Sequence, residues 1–251
     1  MSGHSKWSTI KRKKGVQDAK RGQLFTKLGR EIEIAARDGG GDPSANFRLR
    51  LVIDKARQAN MPKENIERAI KRGTGELKGA ALEEVRYEGY GPEGTAFIVE
   101  VVTDNRNRAV ADVRRVFTRH GGNLGETGCV AWLFDHRGYF SIDAGNDDPE
   151  AIALDAIDAG AEDVRVDNSL VEVFTTVDKF KSVKEELERR NIKYDSAELA
   201  YIPKTMVRLD EKATIQNMRL IDALEELEDV QGVFSNLEIP DDIMEKYEAA
   251  A

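Results

Sequence analysis

Tyr139-Phe140-Ser141-Ile142 opens the most orderly stretch of the chain. A strand there is followed by a helix over residues 149–159, strands over 163–166 and 171–175, a helix over 179–190 and a strand over 192–201. These elements spell a complete βαββαβ unit, which is a ferredoxin-like domain closed within itself. Because such a unit needs nothing from either side, the segments that flank it are incomplete alone. Before it, strands around Val85 and Tyr87 and over 96–102 are joined by Gly89-Tyr90-Gly91-Pro92-Glu93-Gly94. A helix over 107–120 follows, with Val110, Val113 and Phe117 inward, and Gly121-Gly122 closes it. After the unit come a helix over 213–227 and a strand over 233–239. The two fragments are expected to pair into one domain with the βαββαβ unit inserted between them.

Toward the N-terminus the period changes from two to that of a helix. Leu24, Leu28, Ile32 and Ala35 recur at helical spacing over residues 17–38, flanked by Phe25 and Ala36, and Gly39-Gly40-Gly41 stops the run. At about 100° per residue, Lys27, Arg30 and Arg37 fall opposite that stripe, giving the helix a core face and a basic face. Asp42-Pro43 is read as the start of a second helix through about Ala59, with Phe47, Leu51 and Val52 inward; Pro62 begins a third that ends at Gly73 and Gly75. Residues 6–15 hold Lys6, Lys11, Arg12, Lys13 and Lys14 with little apolar content, as in a mobile arm or a frayed first helix. The expected fold is therefore α+β in three domains. A basic helical domain with its arm covers 1–78, a discontinuous α/β domain covers 79–130 and 207–245, and an inserted βαββαβ domain covers 131–206, the latter two ferredoxin-like.

Charge follows the same division. Residues 1–78 carry 19 Lys+Arg against 9 Asp+Glu, while residues 79–251 carry 19 against 37, a net of −18, within a chain of 251 residues whose formal charge is −8. A polyanion is drawn to one end of such a chain and repelled by the rest. Phosphate contact gives that segregation a purpose, since each neutralised phosphate releases condensed counterions. The candidate phosphate-contacting residues are Lys6 and Trp7 at the start of the arm, Lys11, Arg12, Lys13 and Lys14 within it, and Lys20, Arg21, Lys27, Arg30 and Arg37 along the first helix. Thr103-Asp104-Asn105-Arg106-Asn107-Arg108 adds Arg106 and Arg108 at a helix N-terminus, where N–H groups and guanidinium groups suit an anion. The same segment is equally a capped helix whose arginines pair with local carboxylates.

Other chemistry finds little support. Cys129 is the single cysteine, which excludes an internal disulfide, and it reads as a small buried residue entering a strand. His4, His120 and His136 lack metal-ligand spacing. The run from Gly89 to Gly94 matches G-x-G-x-x-G but precedes a strand instead of opening a helix, so it reads as a hairpin turn. Gly121-Gly122-Asn123-Leu124-Gly125-Glu126-Thr127-Gly128 has no following Lys-Ser/Thr and is no P-loop, though an enzyme using that loop and nearby acids stands as a third hypothesis. Arg137-Gly138-Tyr139-Phe140 resembles the opening of an RNA-binding RNP1 strand but occupies the wrong strand of its domain. Acidic runs such as Asp147-Asp148 and Glu225-Glu226 read as solvated faces. No apolar run approaches the roughly 20 residues that cross a bilayer, and no secretory signal opens the chain. A non-enzymatic cytoplasmic protein is expected, or an organellar one that has lost its presequence, with no cofactor, no metal and no membrane partner.

Several separated motifs occur in one order: Gly3-His4-Ser5-Lys6-Trp7, Asn60-Met61-Pro62-Lys63, Tyr87-Glu88-Gly89-Tyr90-Gly91-Pro92, the run from Thr103 to Arg108, Gly121-Gly122-Asn123-Leu124-Gly125 and Trp132. Together they resemble the YebC family. The N-terminal motifs show no departure from it, and Ser8-Thr9 after Trp7, where members often have Asn, is conservative. The resemblance implies a helical N-terminal domain followed by two α/β domains, in a probable DNA-binding transcriptional regulator. It also implies kinship with mitochondrial translational activators and with ribosome-associated bacterial members that aid synthesis of proline-rich peptides. The expected partner is thus nucleic acid, either DNA or ribosomal RNA on the ribosome; the oligomeric state is open, a monomer among the options.

Overall fold

A computed structural model describes residues 18–79 and 81–250, which form eight helices and two four-stranded antiparallel sheets. Contacts group them into two units, residues 18–131 with 210–235 and residues 132–209 with 236–250.

The first unit begins with α1 (Asp18–Gly39), α2 (Phe47–Gln58) and α3 (Lys63–Gly73). Leu28, Ile32, Ala35, Leu49, Val52 and Ile66 meet in one core, as the spacing on α1 predicts. The second helix starts later than expected. Asp42 instead accepts from the Ser44 backbone N–H at 2.9 Å and holds a turn, while Asn46 caps α2 by accepting from Leu49 N at 3.0 Å. The later start also moves the inward stripe: Leu49, Val52, Ile53 and Ala56 are buried, whereas Phe47 and Leu51 are half-buried.

The same unit continues with β1 (Glu83–Tyr90), β2 (Ala96–Thr103), α4 (Arg106–Arg119) and the short β3 (Asn123–Leu124). After the insertion it resumes with α7 (Glu211–Glu225) and β8 (Val230–Ser235), and its sheet runs β3-β1-β2-β8. The two chain fragments therefore do share a sheet, β2 pairing with β8 from Phe97↔Ser235 to Val101↔Val230. The last strand ends earlier than its apolar run. The hairpin between β1 and β2 needs Gly91, because a Cβ there would lie 2.3 Å from Asn217 Oδ1 and 2.5 Å from the Phe97 ring.

The second unit contains β4 (Phe134–Asp143), α5 (Pro149–Asp158), β5 (Asp163–Asp167), β6 (Leu170–Thr175), α6 (Phe180–Arg189), β7 (Ser196–Pro203) and α8 (Asp241–Ala250). Its sheet order β5-β6-β4-β7 is the ferredoxin-like arrangement that the βαββαβ pattern predicts. Phe140 packs on Phe180 with ring centroids 4.8 Å apart, joining sheet to helix. β4 is longer than its apolar stretch because it pairs with β7 from Phe134↔Pro203 to Ser141↔Ser196. β7 starts later than Ile192, since Asn191 takes φ 60° as the chain leaves α6. Among the described residues, no helix is long and apolar enough to cross a membrane.

Candidate nucleic-acid interface

Helical spacing places Lys27, Arg30, Ile34 and Arg37 on one stripe of α1. Ile34 is wholly buried against Leu82, just before β1, and Val102 of β2, so this stripe is a second packing face. The cations around it are engaged by the chain itself. Lys27 Nζ donates to the Glu225 carbonyl at 2.5 Å, and Arg30 donates from Nη1 to Asp229 Oδ1 at 2.6 Å and from Nη2 to Glu228 Oε1 at 2.7 Å. Arg37 donates from Nη1 to the Leu82 carbonyl and from Nε to Asp38 Oδ1. The turn between α7 and β8 is thereby fastened to the basic side of α1.

Asp229 is the centre of that fastening. Besides Arg30, it accepts from the Thr103 hydroxyl at 2.9 Å and from Arg108 Nη2 at 2.8 Å. Burial works to raise its pKa, but the hydrogen bonds from Arg108, Thr103 and Arg30 outweigh it and hold the carboxyl below its ordinary value. Arg108 is also paired with Asp104 at 2.8 Å, and these partners push its own pKa up. Asn105 caps α4 by accepting from Arg108 N at 3.0 Å. Of the two roles open to Thr103-Asp104-Asn105-Arg106-Asn107-Arg108, the capped and internally paired one describes Arg108. Arg106 is exposed.

Lys6, Trp7, Lys11, Arg12, Lys13 and Lys14, with the rest of the expected arm, lie outside the described residues. Lys20 is in the first turn of α1, and Arg21 next to it is exposed. The structure thus brings Arg30 and Arg108 together on one carboxylate, with Lys27 and Arg37 further along the stripe.

The glycine-rich segments serve packing. Glu88, fully buried, accepts from the backbone N–H groups of Gly128, Val130 and Ala131 at 2.8–3.0 Å and so anchors the turn after Gly125. Burial opposes ionisation of Glu88, but those three N–H donors prevail and its pKa falls. Cys129 is half-buried within that turn and does not enter a strand; burial, with Glu88 nearby, pushes its thiol pKa up, away from a nucleophile's needs. Tyr139 and Phe140 are 2% and 0% exposed, so neither offers a face to a base. Among the described residues, no cluster of three or more His, Cys, Asp or Glu could hold a metal ion.

Two participants escape a reading of the sequence. Asp229 hides in the acidic run from Glu225 onward, which looks like a solvated face, and Glu88 is a charged residue in a strand whose burial no periodicity announces. The available signal was the complementarity of that acidic run to the basic stripe of α1.

Comparison with known proteins agrees with this architecture along nearly the whole chain. Residues 5–76 match a family model described as the TACO1/YebC protein N-terminal domain, and residues 82–237 match one described as the TACO1/YebC second and third domain. A protein of Persephonella marina is 55% identical over 248 residues, covering 98% of this chain and 99% of its own. One from Desulfosudis oleivorans is 52% identical over 245 residues, covering 98% and 100%. Both are named probable transcriptional regulatory protein. Among solved structures, that of a conserved hypothetical protein from Aquifex aeolicus superposes with a TM-score of 0.83 at 48% identity, covering 89% of this chain and 93% of that one.

Proposed function

The chain belongs to the TACO1/YebC family, and from that premise we propose that it is a nucleic-acid-binding regulator of gene expression, acting on DNA to control transcription. It works by binding rather than by catalysis and uses no cofactor. The observation that carries this role is the crowding of cations at the N-terminal end of the sequence. Residues 1–37 hold ten Lys+Arg. Seven of them, Lys6, Lys11, Arg12, Lys13, Lys14, Lys20 and Arg21, crowd into 16 positions with one acidic residue among them, Asp18. That density suits a polyphosphate backbone, and Arg106 is a further exposed contact. The names of the relatives supply the word regulator.

Changing Lys11, Arg12, Lys13 and Lys14 to alanine should weaken binding to all sequences alike and lower the slope of log K against log salt by about one per lost contact. A salt titration in which wild type and variant coincide would overturn the role of the arm. Binding to ribosomal RNA in translation is the alternative, because a short cationic segment fits the irregular surface of folded RNA as readily as a duplex groove. Comigration with ribosomal subunits in a gradient would favour translation; a footprint on a defined promoter would favour transcription.

A further inference from the structure

Residues 79–251 are strongly acidic, yet one groove in that part of the chain is cationic. It lies between the C-terminal end of α4 and the first turns of α7, with a volume of about 730 Å³. Arg119, Lys212 and Arg219 line it against a single carboxylate, Glu211. All three cations are exposed, and none is ion-paired among the described residues. Elsewhere in the same unit, Arg30, Arg48, Arg72 and Arg108 each have a carboxylate partner.

The groove is a formed feature and not a chance meeting of side chains. Gln216 Nε2 donates to the His120 carbonyl at 3.1 Å, bolting α7 to the end of α4. The chain turns away at Gly121, whose φ of +80° suits glycine and where a Cβ would come within 2.9 Å of Gln216 Nε2. Ile215 supplies an apolar floor, and the His120 imidazole sits at the junction.

We propose that this groove is a second phosphodiester-binding site, in which Arg119, Lys212 and Arg219 grip successive backbone phosphates and His120 donates a hydrogen bond to one of them. The site presupposes the nucleic-acid-binding role above and extends it from the N-terminal residues to the discontinuous domain. Its ligand is the sugar-phosphate backbone, shared by DNA and RNA; a lining without Phe, Tyr or Trp favours backbone contact over base stacking. His120 reports on the site because of its surroundings. Burial lowers its pKa, and Arg119 on its own helix and Arg219 on α7 lower it further, while Lys212 and Glu211 complete the charged groups around it. A bound phosphate reverses that balance and favours the imidazolium.

The test uses the full chain and two probes, a 12-nucleotide single-stranded RNA and a DNA duplex of equal length, with inorganic phosphate as control. His120 is followed by proton NMR across pH, beside binding measured over a range of salt. Expected is an upward shift of the His120 pKa with at least one oligonucleotide. R119A/K212A/R219A should abolish that shift, melt like wild type and lower the salt slope by about two to three. The probe producing the larger shift identifies which nucleic acid occupies the groove. If the oligonucleotides bind wild type but leave His120 and the triple variant's slope unchanged, the groove is excluded while the N-terminal role stands. Absence of all oligonucleotide binding removes both. A His120 response to inorganic phosphate alone overturns the groove as a backbone site.

Discussion

Two surfaces of the same unit carry rows of cations, and they end differently. On α1, Lys27, Arg30 and Arg37 meet the Glu225 carbonyl, Glu228, Asp229 and the Leu82 carbonyl. Between α4 and α7, Arg119, Lys212 and Arg219 face a groove with one carboxylate. The first row sits in the basic part of the chain and is spent on docking; the second sits in the acidic part and is unpaired among the described residues. Regional net charge therefore locates attraction only coarsely. What a cation is available to bind depends on which oxygen atoms the fold brings to it.

The docked surface should break most sharply at Asp229. Replacing it with alanine leaves the Thr103 hydroxyl and two guanidinium groups without their shared acceptor, at a cost of about 2–4 kcal/mol. Urea unfolding measures this directly, and a loss below about 1 kcal/mol would show that the docked face owes its stability to Ile34 and not to charge.

Not every charge on that surface is complementary. Glu100 on β2 is half-buried, and burial, then Glu31 and Glu84, raise its pKa to about 7 against the pull of Lys55 and Arg48. Because the folded value lies above the unfolded one near 4.3, the protonated carboxyl favours folding. Its contribution is fully present below about pH 4 and is lost as pH rises through about 7. Glu100→Gln should therefore stabilise the protein by about 3 kcal/mol at pH 8 and by almost nothing at pH 4. Equal effects at both values would mean that Glu100 has the same pKa in the folded and unfolded chain, so that burial does not perturb it.

These two carboxylates mark the boundary of what the sequence made legible. The βαββαβ insertion follows from alternating strand and helix periods, and the pairing of its flanks follows from their incompleteness; local pattern suffices for both. The stripe Lys27, Arg30 and Arg37 was equally plain, but its role was not. A helix with polar residues opposite its core can face water, a ligand or another domain, and Ile34 alone hinted at the last. Asp229 is some 200 positions from Arg30 and looks like its solvated neighbours, so only the folded chain joins them. Arg119, Lys212 and Arg219 come together for the same reason, from helices on either side of the insertion.

The groove can be probed without changing a charge. Gly121→Ala places a Cβ at a φ of +80° and within 2.9 Å of Gln216 Nε2, costing about 1–2 kcal/mol and disturbing the bond that holds α7 to His120. Oligonucleotide-induced shifts at His120 should shrink in this variant although all three cations are retained. A full-sized response would mean that the cations act independently of the groove's shape.

The finest separation lies between two arginines that look alike in sequence, Arg37 and Arg106. Both are exposed, and replacing either with alanine should change stability by no more than about 1 kcal/mol, since exposed ion pairs and single carbonyl contacts contribute little. Their effects on binding should differ. Arg37 is held by the Leu82 carbonyl and Asp38, so a phosphate would have to displace both, whereas the Arg106 guanidinium has no ion-pair partner among the described residues. Arg106→Ala should therefore lower the salt slope of nucleic-acid binding by about one and Arg37→Ala should leave it unchanged. If the two variants lose slope equally, an arginine held by a carbonyl and a carboxylate is as available to phosphate as one without an ion-pair partner, and pairing within the chain no longer decides which cations bind.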